Sequence, residues 1–346
     1  MLTYSLLIME RTKTLIIHQG ALGDLILSLP AILKLKIEKK TDLALLCPHH
    51  LGRLIQTLGI VVECFSIERA CFSLLFSDEI DSSLCDFLRR YERIIVFSFS
   101  DMVPKNITRI GLKEVYRIPP RPPIRKRIHV SRYIIDQFKA TRLLKNSLDL
   151  DSNFRLSIPG LSHIEPFNGE KKRIVIHPGS GSRRKWWALR NFLELSLLIR
   201  KIHSYEPIFI LGPAEIGLRK DIEDHANVGP SSLYCNPESR LLISILKEAS
   251  IFLGNDSGVT HLAASLGIPT LAIFGPSDPI RWKPVGPHVK VVRLELDCEP
   301  CFEISKENCA TSPCLNNISS EMALEAVSDL ILSSSTKSRL VGANMV

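Results

Sequence analysis

The stretch "IFLGNDSGVTHLAASLGIPTLAIFGPSDP", residues Ile251–Pro279, decides the fold class. Its pattern is typical of a buried strand, a polar turn, a helix and a second buried strand. In open parallel sheets, ligands bind beyond the carboxyl ends of the strands, where such turns cluster. The first turn of a helix has free backbone N–H groups, which bind anions. The stretch therefore predicts a parallel sheet with a phosphate or diphosphate site at one edge.

Four polar or small residues near this helix start are candidates for that site. Ser257 and Gly258 open the helix, and His261 adds a hydrogen-bond donor from its first turn. Asp256 comes directly before them. Its carboxylate belongs either to the site or to the cap of the helix, since Asp is a favoured N-cap residue.

Short β-branched runs separated by helical stretches recur along the chain, which predicts α/β architecture with parallel sheets covered by helices. A length of 346 residues suffices for two domains. The predicted strands are Thr14–Ile17, Leu43–Leu46, Val61–Cys64, Ile94–Phe97, Ile174–His177, Ile208–Leu211, Ile251–Leu253 and Thr270–Phe274.

A segment rich in Pro, Gly and polar residues, Ser157–Lys172, precedes a new buried-strand pattern and marks a domain boundary. We place the two domains at residues 1–165 and 166–335. Apolar residues at helical spacing predict a terminal amphipathic helix at Ser319–Leu332. Residues 336–346 are predicted to be a frayed tail.

The composition is that of a soluble globular protein, with 45% hydrophobic and 23% charged residues. Nine cysteines are an odd number, and most are scattered, which favours a reducing compartment over a disulfide framework. The apolar run Leu6–Met9 has no basic leader and no cleavage site, and no run approaches the ~18 apolar residues of a membrane span. We expect a cytoplasmic protein without a transmembrane segment.

Positive charge is concentrated between Lys105 and Arg132, where nine basic residues face the single acid Glu114. This surplus equals the net charge of +8 of the whole chain. Such a segment attracts phosphates, in nucleic acid, a lipid headgroup or a sugar phosphate, unless it is merely a solvated loop. Nucleic acid is disfavoured because aromatic stacking residues, Tyr116 and Tyr133, occur only at its edges.

The first predicted strand runs into "HQGALGDLILSLP", residues His18–Pro30. Its glycines match neither the phosphate loop nor the dinucleotide pattern, which disfavours an NAD-dependent dehydrogenase. Asp24 lies where a helix begins. It is either an N-cap or a general base that faces the ligand site.

Two other turns follow predicted strands. "HPGSGSRRKWWAL", residues His177–Leu189, combines small residues with positive charge and is a candidate anion cradle that includes Ser180, Ser182 and Lys185. In "LGPAEIG", Glu215 either accepts hydrogen bonds from ribose hydroxyls or complements the dipole of a helix.

A cysteine run closes the second half, with Cys298, Cys301, Cys309 and Cys314. Its C-x2-C start suits zinc, but the second pair is spaced differently and the loop is short for a zinc ribbon. Spacing alone leaves a structural metal open.

Together, "GALGDLILSLP", "HPGSGSRRKWW", "LGPAE" and "NDSGVTHLAASLGIPTLAIFGPSDP" resemble glycosyltransferase family 9, the ADP-heptose:lipopolysaccharide heptosyltransferases, from about Lys13 to Leu332. The resemblance implies a GT-B fold of two Rossmann-like domains that face each other across a cleft. It places the acceptor on the N-terminal domain and the nucleotide sugar on the C-terminal one. Many members share the cysteine run without a required metal, so we expect neither metal nor cofactor.

The resemblance also implies roles for individual residues. Asp24 matches the catalytic base, and Lys185 matches a lysine that contacts the phosphate and sugar of the donor. Glu215 matches the carboxylate on the ribose, and Asp256 the one on the sugar hydroxyls. The donor-binding residues that it implies are Ser180, Ser182, Lys185, Glu215, Asp256, Ser257, Gly258 and His261.

The function predicted in this way is inverting transfer of heptose from ADP-heptose to a hydroxyl of the lipopolysaccharide inner core. We assign Arg121, Arg125, Lys126 and Arg127 to the phosphorylated acceptor at the inner membrane surface, which would make the protein peripheral on the cytoplasmic face. Alternatives are transfer from another nucleotide sugar, a nucleotide-sugar epimerase, and a non-catalytic protein that binds a sugar nucleotide or lipid.

Overall fold

The computed structural model describes residues 11–77, 81–145, 172–225, 232–304, 309 and 311–342, with side chains up to residue 333. The described residues form two compact units. The first unit comprises residues 11–19, 29–120 and 134–145, and the second comprises residues 20–28, 121–133 and those from 172 onward. The predicted boundary between residues 165 and 166 lies outside the described residues.

The first unit contains a five-stranded parallel sheet with the order β3-β2-β1-β4-β5. Its strands are β1 (Lys13–His18), β2 (Asp42–Cys47), β3 (Glu63–Ser66), β4 (Arg93–Phe97) and β5 (Val115–Ile118). Strand β1 pairs in parallel with both β2 and β4, so the strand order reverses beside it. Leu15 and Ile17 of this central strand are buried in the core of the unit.

The helices in the first half of the chain are α1 (Leu22–Lys39), α2 (His49–Thr57), α3 (Ser82–Arg89), α4 (Met102–Arg109) and α5 (Val130–Ala140). A 3-10 helix covers Ala70–Phe76. Helix α1 continues through Pro30. Its residues up to Ser28 belong to the second unit, and those from Leu29 belong to the first.

The described part of the second unit contains a six-stranded parallel sheet with the order β11-β10-β9-β6-β7-β8. The strands are β6 (Arg173–His177), β7 (Glu206–Leu211), β8 (Leu233–Cys235), β9 (Ile251–Asn255), β10 (Thr270–Ile273) and β11 (Val289–Val292). Strand β6 pairs with β7 on one side and with β9 on the other. The turns after these three strands therefore emerge next to one another at the carboxyl edge.

The helices of the second half are α6 (Leu189–His203), α7 (Arg219–His225), α8 (Ser239–Lys247), α9 (Gly258–Ser265), α10 (Pro279–Trp282), α11 (Pro313–Asn316) and α12 (Ser320–Gly342). The core packs Phe192 of α6 and Val327 of α12 against Leu253 of the sheet. Helix α12 extends past its predicted end at Leu332, so residues 336–342 are helical rather than the predicted tail. Residues 343–346 lie outside the description.

The predicted fold class is confirmed: the chain is α/β, with a parallel sheet and covering helices in each unit. Each predicted strand coincides with an observed one or overlaps it. Within the described ranges, no helix is long and apolar enough to cross a membrane.

Candidate active site

Helices α1 and α9 begin next to each other within the second unit. A Cβ atom added to Gly258 would lie only 2.7 Å from Cβ of Leu22 and 3.0 Å from the backbone nitrogen of Gly23. Two helix N-termini, each with free N–H groups and the positive end of its dipole, are therefore in contact. This concentration of positive potential suits an anionic group.

Asp24 is the third residue of α1, so it is not the N-cap residue itself, although its carboxylate accepts a backbone N–H bond at the helix start, as the cap alternative expects. The Ala21 N–H donates a hydrogen bond to Oδ2 at 3.1 Å, and no described residue donates one to Oδ1. The pKa of Asp24 is raised, because burial disfavours its charged form. The Arg121 charge, the Ala21 N–H and the charges of His261 and Lys185 lower the pKa, but by less than burial raises it. A carboxylate with one oxygen unbonded and a raised pKa has the properties of a general base.

Asp256 follows β9 and is buried beside two nitrogen side chains. Nζ of Lys185 lies 3.1 Å from Oδ2, and Nε2 of His261 lies 3.6 Å from Oδ1. Burial alone would raise the pKa of Asp256, but the neighbouring His261 side chain and the Lys185 charge outweigh it and hold the pKa at about 2. Asp256 is therefore ionised throughout the neutral range.

Ser257 rather than Asp256 caps helix α9. Its hydroxyl accepts a hydrogen bond from the Thr260 N–H at 3.3 Å, and its backbone is extended. The cap alternative for Asp256 is therefore wrong, and the Asp256 carboxylate contacts Lys185 and His261 instead. Gly258 and His261 lie in the first turn of α9, as predicted.

Buried hydrogen bonds join the loop after β6 to the end of β9. Nδ2 of Asn255 donates to the Pro178 carbonyl at 2.6 Å, and the Trp187 N–H donates to Oδ1 of Asn255 at 3.0 Å. The Ser180 hydroxyl donates to the Asp256 carbonyl at 2.6 Å. In this structure Ser180 thus joins the two loops. The sequence places Asn255 at the end of an apolar strand, but the pattern alone assigned it no role in the site.

Lys185 belongs to a 3-10 helix that starts after Ser182. Ser182 is half-buried, and its carbonyl accepts a hydrogen bond from the Lys185 N–H at 3.0 Å. The Lys185 ammonium lies 4.7 Å from the centre of the Phe302 ring, close enough for a cation–π interaction. Phe302, which sequence reasoning missed, thus places the lysine between an aromatic ring and Asp256.

Glu215 lies in the 3-10 helix Pro213–Leu218 after β7. The Gly212 N–H donates to Oε2 of Glu215 at 2.9 Å, and the side chain is buried. Only a glycine fits at position 179, because a Cβ there would lie 2.1 Å from Cδ of Glu215. The carboxylate thus lies against the loop after β6, where a ligand of that loop would meet it.

The segment Arg121–Tyr133, here called the basic loop, belongs to the second unit, whereas the sequence placed it in the first domain. Arg127 is tied to Asp278 by two hydrogen bonds of 2.8 and 3.3 Å. Arg125 and Lys126 are exposed, and Arg125 lines a cavity of about 310 Å³ together with Phe302. Chain order suggested the first domain, but the contacts of the loop are with the elements around α10.

All nine cysteines are free. Within the described residues, no group of three or more His, Cys, Asp or Glu side chains is arranged to hold a metal ion. Of the cysteine run, Cys298 and Cys309 are exposed, and Cys301 and Cys314 are half-buried. Residues 305–308 and 310 of this run lie outside the description.

Comparisons with known proteins agree with this architecture. The sequence matches glycosyltransferase family 9 (heptosyltransferase) over residues 115–311. It is 29% identical over 204 residues to lipooligosaccharide heptosyltransferase 2 of Campylobacter jejuni, a match that covers 55% of this chain and 62% of that protein. The chain thus spans less than two thirds of the length of this curated relative.

Among solved structures, the family 9 glycosyl transferase of Veillonella parvula has a TM-score of 0.69 at 18% identity, over 93% of this chain and 98% of that one. E. coli heptosyltransferase WaaC with ADP has a TM-score of 0.65 at 15% identity, over 92% and 100%. These matches confirm the GT-B type of fold. Because the family match covers more than half of the 346 residues, the chain belongs to glycosyltransferase family 9, the heptosyltransferase family.

Proposed function

We propose that this chain is an inverting heptosyltransferase that transfers heptose from ADP-heptose to a hydroxyl of the lipopolysaccharide inner core. Membership of the family supports the reaction class. The structural relative WaaC was solved with ADP, which supports an adenine nucleotide as the donor carrier. One observation carries the proposal: the Asp24 carboxylate lies at the start of α1, and Leu22 and Gly23 of that helix start lie against Gly258 at the start of α9.

In the proposed mechanism, Asp24 takes the proton of the acceptor hydroxyl. The acceptor oxygen attacks the anomeric carbon of the heptose as the bond from that carbon to the diphosphate oxygen breaks. ADP leaves with the electron pair of that bond, and the single displacement inverts the anomeric configuration. The raised pKa of Asp24 favours this proton transfer because it makes the carboxylate a stronger base.

Negative charge that grows on the leaving diphosphate needs donors that are already in place. The N–H groups at the start of α9 and the Lys185 ammonium supply them in our proposal. Lys185 retains donors for this role because an ammonium carries three N–H groups and the ion pair with Asp256 uses one. We assign Asp256 to the sugar hydroxyls and Glu215 to the ribose, with Ser180 and Ser182 in the phosphate-binding loop.

For the acceptor, we propose that Arg121, Arg125 and Lys126 of the basic loop attract a phosphorylated core anchored in the inner membrane, on its cytoplasmic face. Arg127 contributes less than the sequence suggested, because Asp278 neutralises it. Positive loops near a membrane surface gain about 1 kcal/mol per basic residue from anionic lipid.

The test is an assay of the purified protein with ADP-heptose and a heptose-deficient lipopolysaccharide core, with the anomeric configuration of the product determined by NMR. We expect transfer with inversion and no turnover of the donor when the acceptor is omitted. Turnover without acceptor would support an epimerase. A parallel thermal-shift panel of ADP, UDP, GDP and CMP should show stabilisation by ADP, of roughly 2.7 kcal/mol at a hundredfold excess over Kd. Preference for another nucleotide would contradict the proposed donor.

A further inference from the structure

Arg281 of α10 is almost fully buried, yet it lies outside the set of predicted site residues. Its guanidinium donates hydrogen bonds to the carbonyls of Pro122, Pro123 and Lys126 at 3.0, 3.1 and 2.5 Å. It also donates to both carboxylate oxygens of Glu303, at 2.7 and 3.1 Å. One side chain thus joins the basic loop to Glu303, which lies within the cysteine run and makes the side of the contact here called cysteine-rich.

The proline-rich turn Pro122–Lys126 needs a hydrogen-bond donor from elsewhere in the chain. Prolines have no N–H group, so a turn that contains several of them has more carbonyls than donors of its own. Arginine suits the place because its planar fork offers five donors in a fixed geometry. With Glu303 as the counter-charge, the buried guanidinium is both neutralised and fully used.

On the cysteine-rich side, the contacts lead to the predicted donor site. The carboxylate of Glu303 also accepts a hydrogen bond from Nε1 of Trp282 at 2.9 Å. Its neighbour Phe302 is held by a backbone hydrogen bond to the Pro276 carbonyl, and the Lys185 ammonium lies over its ring. The position of Glu303 therefore fixes the ring against which Lys185 rests.

On the other side, the contacts lead to the predicted base. Arg121 immediately precedes the carbonyls that Arg281 holds, and its positive charge acts on Asp24. The charged groups that act on Asp24 are Arg121, His261 and Lys185. Two of these three groups, Arg121 and Lys185, are thus placed by segments that Arg281 anchors.

We propose that Arg281, together with Glu303, is a positioning residue of the transfer reaction, which holds the Pro122–Lys126 turn and the Phe302 ring so that Arg121 and Lys185 face their carboxylates. This inference rests on the proposed function. It assigns to a buried ion pair a role in the geometry of the site, beyond stability.

The test compares Arg281→Lys with the matched control Arg219→Lys, which alters an exposed ion pair with Glu223 on α7. Lysine keeps the charge but cannot reach three carbonyls and a carboxylate at once. We expect kcat of Arg281→Lys to fall roughly ten- to a hundredfold, since small misplacements of positioning groups cost that much. The acid limb of its pH–rate profile should move to higher pH, because Arg121 no longer opposes the raised pKa of Asp24. The control Arg219→Lys should have the kcat and the pH–rate profile of the wild type.

A double-mutant cycle with Phe302→Leu tests the route to Lys185. If Arg281 acts through Phe302, the loss of ADP affinity in the double variant should be smaller than the sum of the two single losses. Glu303→Gln serves as the second variant if Arg281→Lys does not fold. A folded Arg281→Lys or Glu303→Gln with unchanged kcat and pH profile would overturn the proposal.

Hydrogen exchange separates this inference from the proposed function. The Lys126 and Ile128 N–H groups make backbone hydrogen bonds within the basic loop. They should exchange faster in Arg281→Lys than in the wild type, and unchanged exchange would count against the proposal even if the wild type lacks activity on ADP-heptose. Inactivity of the wild type alone would instead refute the function.

Discussion

Gly23 lies next to the His261 ring, so close that a Cβ on Gly23 would make a tight contact of 3.3 Å with the ring carbon Cδ2. The contact joins the start of α1 to the first turn of α9. It brings Asp24, one residue further along α1, close to the side chains that hold Asp256. A small residue at position 23 is therefore a condition for the proposed base to lie beside the proposed diphosphate site.

An added Cβ would be closer to its neighbours at Gly258 than at Gly23, and Gly258 gives a first prediction. In Gly258→Ala, the new methyl group would meet Cβ of Leu22 at 2.7 Å, and because neither is the end of a flexible chain, the helix starts must separate. We expect a loss of roughly 1–3 kcal/mol of stability from overpacking, and weaker ADP binding in calorimetry. Gly217→Ala is the control, since a Cβ there has open space around it. Equal effects in both variants would show that the helix starts tolerate separation.

Replacement of the proposed base gives a second prediction. Asp24→Asn keeps the shape of the side chain but removes the proton acceptor, so turnover should fall roughly 10²–10⁴-fold while the Kd for ADP stays near that of the wild type. Asp221→Asn is the matched control, because Asp221 is likewise the third residue of its helix, α7, but exposed. Near-normal turnover in Asp24→Asn would remove Asp24 from the role of base.

The pH dependence of activity gives a third prediction. A general base must be ionised, so kcat/KM should fall as the pH drops through the pKa of Asp24. Burial raises this pKa above its ordinary value of 3.8, and the acid limb of the profile should lie above that value accordingly. A carboxyl group whose pKa is raised on folding also disfavours the folded state at neutral pH, so Asp24→Asn should melt at a higher temperature than the wild type at pH 7. A lower melting temperature would indicate that the carboxylate is stabilising.

Much of the site was predictable because parallel strands deliver their turns to one edge of a sheet. The order of strands in the second sheet places β6 between β7 and β9, so the turns with Lys185, Glu215 and Asp256 meet. The pattern of polar residues after buried strands was enough to predict this convergence. Strands β5, β8 and β11 were missed because they are short, partly exposed edge strands without a continuous apolar run.

Other features depend on contacts that no local pattern encodes. Arg281 binds carbonyls 155 to 159 residues earlier in the chain, and Phe302 lies in a segment without regular periodicity. The basic loop belongs to the second unit although strand β5 before it and the part of α5 from Ile134 onward belong to the first. Composition revealed the charge of that loop, but only the structure shows that Arg127 is paired with Asp278.

The buried ion pair of Asp256 gives a fourth prediction, on acid stability. Because the pKa of Asp256 is lowered from 3.8 to about 2, its ionised form stabilises the folded protein above pH 4, and this contribution is lost as the pH falls from about 4 to about 2. This difference between the two pKa values corresponds to roughly 2 kcal/mol in the free energy of unfolding. The stability difference between wild type and Asp256→Asn should therefore shrink by about that amount over this range, as measured by thermal midpoints. Asp329→Asn, which alters an exposed ion pair, is the control, and a pH-independent difference for Asp256→Asn would contradict the assignment.

The basic loop gives a fifth prediction, in which neighbouring arginines should behave differently on charge reversal. Arg125→Glu leaves the internal ion pairs of the loop intact, so it should raise the acceptor KM and leave the donor KM and the melting temperature unchanged. Arg127→Glu instead places a second carboxylate beside Asp278, which is nearly buried and caps α10 through the Ile280 N–H. This variant should melt at a lower temperature, because like charges then face each other in a site that water screens poorly.

Steady-state kinetics with a phosphorylated and a dephosphorylated acceptor core would separate the two effects. For Arg125→Glu, the rise in KM should be confined to the phosphorylated core, since the attraction is to phosphate. Arg127→Gln serves as the control for the neighbouring position, because it removes the ion pair with Asp278 without adding a negative charge. If Arg125→Glu has the same acceptor KM as the wild type with both cores, the exposed positive charge of this loop is solvated surface, and the acceptor must be recognised elsewhere on the chain.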